Sequence, residues 1–388
     1  MIYNKLFIYC SLLLLCISSC QTNKDSKLKE NVYSDKIDFN QKEVSFSPQT
    51  DILFLKEYYL SSCFHQDSTD VFVSYNYKRH ALDFLDLKNG TISQTKLEPE
   101  GPKGITRIND IFVHNMDSIW ICGMQDIFLI NKAGDLKKKI PLTVMLDEEA
   151  VIIQTNYAIA TVKLFFNKKR RSIFYTTASF SNNVRKYIVN ELFLDGSDKI
   201  NKYELAKSAA EPHIDGNYGY MQGPNVTFNE DKIIYNYPIE ANVYVLDLNT
   251  GRNHIYGGRS KYTDNMAHKN STSGGFEKYD IENLHFYEVM YIPKYDLYCR
   301  LHLNGIEFDV NKNREELYSS KDIFLTVFNS EFEVVNELKL PSKRYSYLTA
   351  WCPLNNGFLI FANNFYLNTS ASENEIIFDI YEPVMQNN

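Results

Sequence analysis

Six times along the chain a polar residue introduces a short apolar run that carries an aromatic ring. The runs are Asp70-VFVSY, Asp117-SIWIC, Arg171-SIFYT, Asp231-KIIYN, Asp296-LYCRL and Asn356-GFLIF, at intervals of 47, 54, 60, 65 and 60 residues. A second run follows each one: LDFLDLKNG (82–90), IFLINKAG (127–134), NELFLDG (190–196), VYVLDLNTG (243–251), IFLTVFNSE (323–331) and EIIFDIYEP (375–383). Gly90, Gly134, Gly196 and Gly251 close four of these, as a tight hairpin turn that needs a positive φ demands. A small sheet cannot bury both of its faces alone. Six of them arranged round an axis bury each face against a neighbour and leave only short edges. The repeat therefore predicts an all-β fold, a six-bladed β-propeller, ahead of seven blades or a pair of β-sandwich domains. No Pro/Gly/Ser linker divides the chain as two sandwiches would require. A propeller closes best when its last blade borrows an N-terminal strand, and residues 43–55 (EVSFSPQTDILFL) are the candidate.

Composition agrees. Of 388 residues, 28 are Tyr and 25 Phe, whereas Gly (16) and Pro (11) are scarce, which favours strands over linker-like architecture. The formal charge of −7 supplies no basic footprint for phosphates, so nucleic acid is excluded as a partner class.

The N-terminus carries a separate signal. Lys5 precedes a 12-residue apolar run, Leu6 to Ile17, too short to span a bilayer and typical of a secretory h-region. The run ends Ile17-Ser18-Ser19-Cys20, which resembles a bacterial lipobox, where small residues precede a cysteine whose sulfur receives the lipid. The organisation expected is a signal peptide (1–19), a lipidated Cys20 with a polar leash (20–42) and one propeller domain (43–384). The membrane is then a partner through the N-terminal lipid. The location is the cell envelope, by resemblance to known lipoproteins the outer membrane, with the leaflet left open.

Catalytic signatures are missing. There is no G-x-G-x-x-G, Walker loop, H-E-x-x-H or G-x-S-x-G, and Ser93–Lys96 fits S-x-x-K without its companion motifs. The eight histidines are scattered, and Glu211, His213 and Asp215 read as a solvated turn before they read as a metal site. No metal or other cofactor is expected. Cys63, Cys122, Cys299 and Cys352 allow three disulfide pairings, or serve as buried thiols packed like small hydrophobes.

Propellers bind with loops and with the first strand of each blade. First strands are expected at 104–112, 218–228, 285–291 and 344–351, offering Arg107, Tyr218, Tyr220, His285, Tyr287, Arg344 and Tyr347. Arg and Tyr together suit sugars, peptides or carboxylates. Residues 252–280 form a long, polar, glycine-bearing insertion that reads as a binding loop, and deleting 260–278 is expected to spare folding.

Gly258-Arg259-Ser260-Lys261-Tyr262 and Tyr295-Asp296-Leu297-Tyr298-Cys299-Arg300 resemble segments of the domain of unknown function 4221 family, among the six-bladed propeller lipoproteins of Bacteroidetes. The resemblance covers about residues 43–384 and implies the fold and the envelope location. It transfers no catalytic residue; Arg259, Lys261, Tyr262 and Arg300 join the ligand-binding candidates. The function expected is a lipid-anchored, non-catalytic protein binding a protein, peptide or glycan. An envelope hydrolase or lyase, and a structural subunit of an outer-membrane complex, are the alternatives.

Overall fold

A computed structural model describes residues 37–47, 60–142, 150–152, 163–181, 184–197, 199–210, 218, 221, 223–268, 275–346, 350–364, 367 and 375–385. The strands form six antiparallel sheets, one for each repeat. Strand β1 (Ile37–Phe46) belongs to the last. Blade 1 is β2 (Ser61–Gln66), β3 (Thr69–Asn76), β4 (Ala81–Asp86) and β5 (Ile92–Lys96). Blade 2 is β6 (Asp110–Asn115), β7 (Ser118–Cys122), β8 (Asp126–Ile130) and β9 (Leu136–Pro141). In blade 3 the inner strand comes in two pieces, β10 (Ala150–Ile152) and β11 (Phe165–Asn167), both paired with β12 (Ser172–Ser181). β13 (Val184–Phe193) and β14 (Ile200–Glu204) complete it. Blade 4 is β15 (Asn225–Asn229), β16 (Lys232–Asn236), β17 (Val243–Asp247) and β18 (Asn253–Tyr256). Helix α1 (Gly275–Glu282) precedes blade 5: β19 (His285–Ile292), β20 (Leu297–Leu303), helix α2 (Arg314–Ser319), β21 (Ile323–Phe328) and β22 (Val334–Lys339). Blade 6 is β23 (Trp351–Leu354), β24 (Gly357–Phe361) and β25 (Ile376–Met385), and β1 supplies its outer strand.

The closing strand lies earlier than 43–55. It pairs antiparallel with β25 from Ile37↔Met385 to Phe46↔Ile376, so the domain begins inside the stretch assigned to the leash. Residues 48–55 lie outside the described residues.

The core is divided among the six gaps between blades. Phe46, Phe72, Leu85 and Phe378 fill the gap between blades 6 and 1, and Val73, Phe84, Ile111 and Ile121 the next. Trp120 with Ile173, Phe174 with Tyr235, Val245 with Tyr298, and Leu301 with Phe358 mark the other four. Middle strands are accordingly buried on both faces: β20, β21 and β24 are buried at every residue. Hence the two-residue alternation of half-exposed strands is absent where the repeat is clearest. The aromatic surplus sits in these gaps, for example Tyr298 stacked on Phe332 at 4.4 Å and Tyr235 on Tyr244 at 5.0 Å.

The two near-identical turns have one mechanism. Asp86 Oδ1 accepts from the backbone N–H groups of Lys88 and Asn89, and Asp247 Oδ1 from those of Asn249 and Thr250. Gly90 and Gly251 then take φ of 66° and 67°. Gly357 has a different reason: a Cβ there would lie 2.0 Å from the Tyr381 carbonyl oxygen.

Antiparallel pairing sorts the connections by face. Turns from first to second strand and from third to fourth, such as 67–68, 230–231 and 248–252, span six residues or fewer. Among the described residues, helices α1 and α2 and the longer connections from one blade to the next lie on the opposite face. Among the described residues no helix is long and apolar enough to cross a membrane.

Candidate functional site: the axial cavity

The inner strands converge on a cavity of about 230 Å3 along the axis. β2 contributes Cys63, β6 Phe112, the residues leading into β11 Lys163, β11 Phe165, β15 Phe228, β19 Glu288 and Met290, and β23 Cys352. The lining is mostly apolar, yet it carries Cys63, Lys163, Glu288 and Cys352, with Asp110 next to it. Lys163 Nζ lies 3.6 Å from Glu288 Oε1, and Glu288 is 3% exposed while Lys163, at 23%, reaches into the cavity. Asp110 stands behind Lys163; its Oδ2 accepts from the Leu164 backbone N–H. Cys63 and Cys352 lie beside each other on the cavity wall, and the Cys352 thiol donates to Ser61 Oγ at 3.6 Å.

Each group modifies its neighbours. Burial, opposed by Lys163 and by the N–H groups of Leu164 and Ile111, pushes the Asp110 carboxyl up to about 7. Burial acts to lower the Lys163 ammonium, but Glu288 and Asp110 outweigh it and hold it above the ordinary lysine value. Burial, then the hydrogen bond with Cys352, pushes the Cys63 thiol well up. For Cys352 burial is outweighed by the Cys63 hydrogen bond and by Lys163, so its thiol falls below the usual value. Glu288 Oε2 is buried and, among the described residues, has no hydrogen-bond partner. An acceptor of that kind at a cavity wall is matched by an amine or hydroxyl donor. Among the described residues no group of three or more His, Cys, Asp or Glu is placed to hold a metal ion.

The residues expected from sequence are scattered. His285 and Tyr287 do lie on an inner strand, but both are buried, with Tyr287 packed edge-on against Trp351 at 4.4 Å. Arg107 precedes β6, Tyr218 precedes β15 and Arg344 precedes β23, because those strands begin later than expected. Arg107 is exposed near Met124, 3.8 Å from its sulfur. Tyr218 is buried and donates to the Ala210 carbonyl. Arg344 binds Asp379 and Glu43 at the closure of the ring. Arg259, Lys261 and Tyr262 are exposed; the last two border a separate polar hollow of about 440 Å3 with Asp264, His268 and Asn304. Tyr220, Tyr347, the Glu211–Asp215 turn and Cys20 lie outside the described residues.

Arg300 is a structural residue. It is fully buried, donates to the carbonyls of Ala241 and Gly258, and stacks 4.3 Å over the Phe286 ring. Beside it His302 pairs with Glu337 at 3.2 Å, and Glu337 accepts from the Lys261 backbone N–H. The segment expected to be a dispensable binding loop is thus split. Asn253–Tyr256 is the outer strand of blade 4, and 257–261 is fastened between blades 4 and 5. Removing 260–278 would delete Ser260, which hydrogen-bonds His302, and the first half of α1.

The Domain of unknown function (DUF4221) family model matches residues 32–339. The chain is a DUF4221 protein. A crystal structure of a DUF4221 family member from Bacteroides vulgatus is similar to it at a TM-score of 0.72 and 16% identity, covering 91% of this chain and 99% of that one. A candidate exported protein of Bacteroides fragilis is similar at a TM-score of 0.51 and 9% identity, covering 92% and 97%. No curated protein matches. At these identities the likeness of the DUF4221 chain to solved structures is one of fold.

Proposed function

We propose that this protein is a lipid-anchored cell-envelope propeller that binds, without turning over, a small amine- or hydroxyl-bearing ligand in its axial cavity. The unpartnered Glu288 Oε2 beside Lys163 carries the reading, because a buried carboxylate oxygen gains most from a ligand donor. The apolar rings of Phe112, Phe165 and Phe228 supply contact area for the rest of such a molecule. The test is a thermal-shift panel of neutral monosaccharides, amino sugars, amino acids and polyamines. One class is expected to raise the melting temperature of the wild type and to lose most of that effect in Glu288→Gln. A panel with no shift, or a shift that Glu288→Gln leaves intact, overturns the reading.

One observation favours a second reading, an envelope hydrolase or lyase. Asp110 near 7 beside an ammonium is suited to proton transfer at neutral pH. Recovery of the ligand unaltered after incubation separates binding from turnover.

The envelope location is supported by the short apolar run ending Ile17-Ser18-Ser19-Cys20 and by the description of the Bacteroides fragilis neighbour as a candidate exported protein. Cys20→Ala is expected to move the protein from the membrane to the soluble fraction on cell fractionation. Retention of that variant on membranes would sink the anchor.

A further inference from the structure

Cys63 and Cys352 are 289 positions apart in sequence, yet both face the axial cavity. They occupy the inner strands of blades 1 and 6, which pack side by side where the ring closes. Cys352 Sγ lies 3.6 Å from Ser61 Oγ, two residues before Cys63 on the same face of β2, and Cys63 is partly exposed. The remaining described cysteines, Cys122 and Cys299, are buried in other blades.

We infer that Cys63 and Cys352 are a redox pair that forms a disulfide across the seam between the first and last blades, with a small disulfide as oxidant. Cys352 is the attacking sulfur. It lies against Ser61 and within the field of the Lys163 ammonium, which stabilises its thiolate. The thiolate attacks one sulfur of the donor, the donor's S–S bond breaks, and one thiolate leaves. Cys63 then gives up its proton and attacks the sulfur of Cys352 in the mixed disulfide, releasing the second thiol. Two protein thiols are oxidised to one disulfide, the donor is reduced to two thiols, and two protons pass to them. The bond would tie β2 to β23 covalently, alongside the hydrogen-bonded closure of β1 on β25. It would also convert one wall of the cavity from two thiols to an apolar bridge. The inference stands apart from the ligand reading, since it needs only the two sulfurs and their neighbours.

The full chain is treated with 2-hydroxyethyl disulfide, small enough for the cavity, then alkylated and digested without reduction. The expected product is a peptide pair joining Cys63 to Cys352, with a melting temperature raised by roughly 5 °C and restored by dithiothreitol. Cys63→Ser should stop at a mixed disulfide on Cys352, whereas Cys352→Ser should leave Cys63 largely unmodified. Lys163→Met should slow cross-linking several-fold. Unreacted thiols at both positions, a mixed disulfide that never resolves in the wild type, or linkage to Cys122 or Cys299 each overturns the inference. Should either serine variant fail to fold, the wild-type peptide map alone decides.

Discussion

Arg344→Ala is expected to cost about 2–3 kcal/mol of stability, because it strands the fully buried Asp379 carboxylate, less than for a wholly buried pair since Arg344 itself is one-third exposed to solvent. The register of the closure sets the size of the effect. β1 and β25 pair so that Glu43 lies directly opposite Asp379, a like-charge pair that would oppose closure by itself. The Arg344 guanidinium bridges both, with Nη2 2.7 Å from Glu43 Oε2 and 2.7 Å from Asp379 Oδ1, and Nε on Asp379 Oδ2. Asp379 is fully buried and also accepts from the Tyr345 hydroxyl. Without Arg344 its charge is left with one neutral donor and a carboxylate across the strand pair. Urea unfolding gives the loss, and hydrogen exchange should show β1 opening before the other strands. A loss below 1 kcal/mol would mean that the strand hydrogen bonds close the ring without the charge bridge. Glu43→Gln, which removes the repulsion, should recover part of the deficit in the double variant.

The second large effect is pH-dependent. Asp110 holds its proton to about 7 in the folded protein, against about 4 for an unperturbed aspartate. Between those values the folded state binds the proton more tightly than the unfolded chain, so this group's stability contribution is full below pH 4 and falls as pH rises to 7. About three pK units correspond to about 4 kcal/mol. Asp110→Asn keeps an acceptor for the Leu164 N–H and removes the titration. Its stability relative to wild type is expected to climb by roughly 2–4 kcal/mol from pH 4 to pH 8. A flat difference across that range would place the Asp110 proton elsewhere.

The two sets of runs that suggested a propeller are the second and third strands of the blades. They were legible because those strands are apolar on both faces and their turns are built locally, by an aspartate accepting backbone N–H groups and a glycine at positive φ. First strands were harder. Of four expected, only 285–291 nearly coincides with a strand, β19. The stretches before β6, β15 and β23 contain Ile105, Ile108, Tyr218 and Tyr345, which are buried between blades without belonging to a strand. Apolar character therefore misplaced the boundaries. The cavity was invisible for another reason. Cys63, Asp110, Lys163, Glu288 and Cys352 come from five blades, and closure of the ring, not any local motif, brings them together. A faint signal was present in Glu288, an acid inside the otherwise apolar and aromatic run of β19. Of the arginines and tyrosines chosen by residue type, Arg300 and Arg344 hold blades together and Tyr218 and Tyr287 are buried, while Arg107, Arg259 and Tyr262 are exposed.

The direction of β1 has a topographical consequence. Ile37 pairs with Met385, at the end of the blade where the short turns lie, and Phe46 reaches the side of the long connections. A tether from Cys20 would join the domain at the short-turn side, within about 60 Å of contour. The smooth underside would then rest toward the lipid headgroups. With the proposed lipid on Cys20, the helices, the 257–268 segment and the polar hollow would lie on the face opposite the tether.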